Sequence, residues 1–167
     1  YTPRMYLEQQ FLNIVQAAEA YHRRRFRNEV LCAQQHSDRI TSILNAVPGE
    51  HRDWLSEQLQ YSNEPRLRHR IRELIDFADE VISPLITDRK EFIQKIWATR
   101  NFLIHHDPSL RCEAAQGTEL YQITQILLFL VEACFLRELG ISPQRCSELF
   151  RRNGRYSFAL GQKWPAC

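Results

Sequence analysis

The stretch from Asp88 to Pro108, DRKEFIQKIWATRNFLIHHDP, decides the fold. Asp88 with Glu91 three residues later has the spacing of a capping box, in which side-chain oxygens satisfy the free amides that open a helix. Asp107-Pro108 closes it, because the proline ring disfavours helical geometry at the residue before it. A helix is therefore predicted from Asp88 to roughly Ile104. With Ile96 as reference and about 100° per residue, Phe92, Ile93, Trp97, Leu103 and Ile104 fall in an arc of roughly 140°. Arg100 points into the middle of that arc. A guanidinium keeps its charge, so a place on an apolar stripe is costly unless it meets a carboxylate, a phosphate or a wet cleft.

The pattern on either side is helical too. Leu7, Phe11, Ile14, Val15, Ala18 and Tyr21 recur at three- and four-residue spacing, predicting a helix to about Phe26. A second helix is expected from near Arg27 to Val47-Pro48-Gly49, with Val30, Leu31, Ile40, Ile43 and Leu44 on its apolar face. Two shorter helices follow between Glu50 and Asp79, divided around Asn63 and Pro65. Trp54, Leu55, Leu59, Leu67, Ile71, Leu74, Ile75 and Phe77 are their expected core contacts. From Thr118 to Leu139 apolar residues cover nearly every direction, as in a central helix. Gln122, Gln125, Glu132 and Arg137 interrupt that run short of the roughly 18 residues a membrane span needs. Gly140 ends it and Ser142-Pro143 opens another helix, and beyond Asn153-Gly154 an irregular tail is expected.

The whole is an all-α chain, an antiparallel bundle of about five to seven helices. Its 167 residues fit one domain, 1–167, expected to be a piece of a longer protein because it begins at Tyr1. Only 5 Gly and 7 Pro, with 44% apolar and 25% charged residues, suit a packed helical fold and not a disordered one. Five Cys without a CxxC pair suggest neither a disulfide framework nor a zinc ribbon, so a cytoplasmic setting is expected. A net charge of +2 does not by itself announce a nucleic-acid binder.

His105, His106 and Asp107 come where the helix must end. Arg100 supplies a cation suited to phosphate and His105 a side chain that titrates near neutral pH, a pairing that suits RNA cleavage. Arg100-Asn101-Phe102-Leu103-Ile104-His105 resembles the Arg-Asn-x-x-x-His signature of HEPN ribonucleases. The run Phe11-Leu12-Asn13-Ile14-Val15-Gln16-Ala17-Ala18-Glu19-Ala20-Tyr21-His22-Arg23-Arg24 resembles the first helix of the ApeA-like branch, a group linked to bacterial defence against phage.

The resemblance implies a HEPN-like domain acting as a metal-independent RNA endonuclease, the effector part of an anti-phage or toxin protein whose other domains sense infection. No cofactor is implied. The ribose 2′-hydroxyl attacks, leaving a 2′,3′-cyclic phosphate and a 5′-hydroxyl. His105 acts as acid or base, Arg100 steadies the charge developing on phosphate, and Asn101 orients one of them. Residues five apart on an ideal helix differ by about 140°, so Arg100 and His105 do not share a face. Either the last turn unwinds, or two chains pair across this helix; HEPN proteins are commonly dimers with the motif at the interface, so a homodimer through the helix carrying Arg100 is the expectation. A one-residue shift in the helix end would exchange His105 for His106.

Glu19, Tyr21 and His22 are candidates to line the cleft. Of the basic clusters Arg23-Arg24-Arg25-Arg27, Arg66-Arg68-His69-Arg70-Arg72 and Arg151-Arg152-Arg155, the first is the expected contributor to RNA binding. Each residue has a blander reading. Arg100 can pair with an acid such as Glu19 or Glu132, His105 can answer the helix dipole, and basic runs are often solvated faces. The competing function is a non-catalytic helical module that dimerises or binds RNA or protein.

Overall fold

The computed structural model describes residues 6–164, which form α-helices joined by turns and two short 3-10 segments. The helices are α1 (Leu7–Arg25), α2 (Ala33–Asn45), α3 (Gly49–Leu59), α4 (Leu67–Phe77), α5 (Asp79–Ile82), α6 (Arg89–His105), α7 (Gly117–Glu138), α8 (Pro143–Arg151) and α9 (Gly154–Gly161). The all-α expectation holds, and the count exceeds five to seven because α5 is a single turn and the expected irregular tail contains α9. Asn153 caps α9 by accepting from the Arg155 amide, and Tyr156 turns inward against Phe129 and Phe150. The Tyr156 hydroxyl donates to the Val81 carbonyl at 2.5 Å.

The chain divides into two compact units, one of the residues to His22 with those from Leu67 onward, the other Arg23–Arg66. In the first, α7 buries ten side chains, among them Ile123, Leu127, Phe129 and Leu130, and packs on α4, α5, α8 and α9. By length and composition α7 could cross a membrane, yet more than half of its most apolar window is buried inside the protein. Its end is a Schellman turn: Ile141 N–H donates to the Leu136 carbonyl and Gly140 N–H to that of Arg137, with Gly140 at φ 81°. Ser142 then accepts from the Arg145 amide to start α8. At the other end of this unit Trp164 is buried against Phe92, its backbone bonded to Leu85 and Thr87.

The second unit departs most from expectation. The second helix begins at Ala33, not near Arg27, because Asn63 holds the preceding segment extended: its side chain accepts from the Leu31 amide and donates to the Leu31 carbonyl, while its own carbonyl accepts from Val30. Helices α2 and α3 pack on each other but bury no residue. Trp54 is 63% exposed and Val30 and Ile43 are also exposed, so these are not core residues; Ile40, Leu44, Leu55 and Leu59 are half-buried. Two helices alone have too little volume to take such side chains out of water.

Helix α6 starts as expected, with Asp88 Oδ1 accepting from the Glu91 amide at 2.9 Å. Phe92, Ile93 and Ile96 are buried, Trp97 and Leu103 are half-buried, and Ile104 is 46% exposed, so the stripe surfaces over its last turns. Buried Thr99 donates to the Lys95 carbonyl and accepts from the Ala115 amide at 2.9 Å, tying α6 to the segment that leads into α7.

Candidate active site

Arg100 lies where the apolar stripe of α6 leaves the core, and it is half-buried. Among the described residues its guanidinium has one hydrogen-bond partner, Asn101 Oδ1 at 3.0 Å from Nη1, and no ion pair. The acids offered by the blander reading are not its partners; Glu132, for one, meets Arg155.

The helix stays α-helical through His105, which removes the unwinding alternative. It ends at His106, whose φ of 52° makes it the one non-glycine among the described residues with left-handed backbone, and whose N–H donates to the Phe102 carbonyl. Within one chain Arg100 and His105 therefore keep the roughly 140° between residues five apart. Asn101 spans part of that gap. It stands four residues before His105, hence on the same face and about 5–6 Å away between Cβ atoms, while its oxygen holds the Arg100 head. His105 and His106 are both exposed. Asp107 accepts from the amide and hydroxyl of Ser109, and these bonds, helped by nearby His105, hold its carboxyl below the usual range.

The α1 candidates are brought elsewhere. Tyr21 donates its hydroxyl to Glu138 Oε1 at 2.7 Å and sets its ring edge-on against Phe135 of α7. His22 is 0% exposed, with Nε2 2.6 Å from Glu73 Oε2 and Nδ1 3.0 Å from Arg70 Nη1, so in this conformation it faces α4 and not a substrate. Burial is the main cause holding its imidazole below the ordinary range; the Glu73 hydrogen bond opposes this and Arg70 reinforces it. Glu19 is half-buried, and Arg23 pairs with Glu64 at 3.3 Å while Arg24 is exposed. None of these bonds to Arg100, Asn101 or His105.

Sequence reasoning placed Arg70 only within a basic cluster and did not reach Glu73. The signal was present: Arg70 falls among Leu67, Ile71 and Leu74 on the buried stripe of α4, the same anomaly that marks Arg100. Half-buried His69 shares Glu73 with His22, at 3.2 Å.

A family model described as Apea-like HEPN matches residues 12–145, which take in most of α1 through the start of α8 and all of Arg100–His105. No curated protein and no solved structure gives a significant match.

Proposed function

The chain belongs to the Apea-like HEPN family, and from that premise we propose that it cuts RNA at a site made by Arg100, Asn101 and His105. Nuclease activity and roles in anti-phage defence are carried at the level of the family. The observation that supports the finer reading is the Arg100 guanidinium, half-buried and, among the described residues, without a carboxylate and held only by the asparagine that shares a face with His105.

In this scheme His105 takes or gives the proton at the 2′-hydroxyl or the leaving 5′-oxygen, and Arg100 meets the phosphate oxygens as charge builds. The product is a 2′,3′-cyclic phosphate, and no metal takes part. A second copy of the chain completes the site by docking on the last turns of α6. There Ile104 is exposed, Leu103 is half-exposed, and the two catalytic groups need a partner to face each other. His106 stays a substrate contact beside His105, and Arg23 and Arg24 of α1 remain candidates for the RNA backbone.

The test is cleavage of RNA by purified protein with EDTA present, with analysis of the 3′ ends. Cyclic phosphate ends, lost in Arg100→Ala and His105→Ala while helical circular dichroism and dimerisation persist, are expected. Undiminished cutting by both variants removes the assignment, and RNA retention without any cutting leaves a non-catalytic module.

A further inference from the structure

A groove of about 480 Å³ runs between α4 and the first turns of α6. Four cations, Arg68, Arg72, Arg89 and Lys90, line it with Gln94 and a single carboxylate, Asp76, in a chain whose net charge is only +2. Arg89 is neutralised: it pairs with Asp76 at 2.7 Å, with Asp79, and with the Ser83 hydroxyl. Arg68, Arg72 and Lys90 meet no carboxylate among the described residues. Arg68 and Arg72 moreover stand four apart on one helix, where like charges repel. An anion in the groove relieves that repulsion.

The groove has a direction. Lys90, Gln94, Trp97, Asn101 and His105 follow at spacings of four, three, four and four, which place them along one face of α6. All five are exposed or half-buried. Arg68 reaches across from α4, its guanidinium carbon 3.9 Å from the centroid of the Trp97 ring. Lys90 lies about 16 Å along the axis from Asn101, and Asn101 holds the Arg100 head.

We infer that this α4/α6 groove is the track for the phosphodiester backbone of single-stranded RNA, leading it to the scissile phosphate at Arg100. The inference rests on the ribonuclease reading above. Arg68, Arg72 and Lys90 take successive phosphates, and an unstacked base lies over the Arg68 guanidinium plane where it rests on Trp97, which a duplex with stacked bases cannot use. Phosphate contacts of this kind position a strand without reading its sequence.

Binding of labelled oligouridine to the cleavage-dead His105→Ala protein separates this inference from the cleavage reading. Adding Arg68→Gln, Arg72→Gln and Lys90→Gln is expected to weaken binding roughly tenfold or more at low salt. It should also reduce the slope of log affinity against log salt by about 2, three contacts at the single-strand value. The exposed control Arg39→Gln, Arg52→Gln, Arg145→Gln removes equal charge and should change binding little. Unchanged binding by the groove variant overturns the track whether or not the wild type cuts RNA. Equal loss in the control overturns it as well, as does groove-dependent retention on phosphatidylserine vesicles without oligouridine binding. If the groove variant loses binding but no RNA is ever cut, the track stands and the nuclease reading falls.

Discussion

Two arginines sit on apolar stripes in this protein, each close to a histidine, and their fates differ. Arg70 on α4 is 1% exposed and clamped to buried His22, which is held in turn by Glu73. Arg100 on α6 is half-buried, bonds among the described residues only to its neighbour Asn101, and has exposed His105 one turn beyond that asparagine. The first set is closed, with its polar groups spent on one another, as burial of charge demands. The second is open, with donors left over for something the chain does not contain. A misplaced charge in a helical pattern thus marks a special position, and satisfaction of that charge separates scaffold from site.

The sharpest way to break this comparison is to exchange the consequences of the two arginines. Arg100→Ala is expected to lower RNA cleavage by roughly a thousandfold or more, as loss of a group that steadies transition-state charge does, with unfolding midpoints near wild type. Arg70→Ala should instead cost about 1–3 kcal/mol of stability, the usual cost of leaving a buried hydrogen-bonding group without its partner, measured by urea unfolding, with cleavage per folded molecule retained. If Arg70→Ala leaves stability unchanged, the closed set is not scaffold.

The closed set also predicts a pH effect. Its environment favours neutral His22, holding the group below its ordinary value of 6.5. The unfolded chain then takes up a proton that the folded chain resists, so this contribution is full above pH 6.5 and fades as pH falls below it toward the folded value. Urea midpoints should drop on that acid side in the wild type and drop less in His22→Gln.

The smallest effect sharpens the open set. His106 bears left-handed backbone, which glycine adopts without steric cost, so His106→Gly should stabilise by about 1 kcal/mol. Calorimetry would read this as a rise of about 3 °C in Tm. Cleavage should survive the substitution, and its loss would transfer the histidine's role from His105 to His106.

Local signals made much of the bundle readable from the chain. Asp88 and Glu91 opened α6, and Gly140 with Ser142-Pro143 turned α7 into α8 as expected. Periodicity failed where it had to stand for burial. The apolar stripes of α2 and α3 are real, but a stripe says which residues share a face, not whether enough protein lies opposite to bury them, and Trp54 stays in water. Helix α9 escaped notice because it is only eight residues long with glycine at both ends, too short to show a clear period; Tyr156 reaching Val81 and Phe129 supplies the tertiary support that so short a helix needs. At the site, Arg100, Asn101 and His105 were legible as a motif. That His22 would be turned inward was not, since it depends on Arg70 and Glu73 lying across from it, a tertiary fact.

Thr99 has a consequence for how this domain can change over time. Its hydroxyl pins the Ala115 amide, while Asp107 fixes the other end of the same connection through Ser109. Substitutions on the outward side chains between those two anchors, Arg111 and Cys112 among them, can accumulate without shifting the frame of α6. The rim beside α6 is thus free to vary while the register of Arg100–His105 is held.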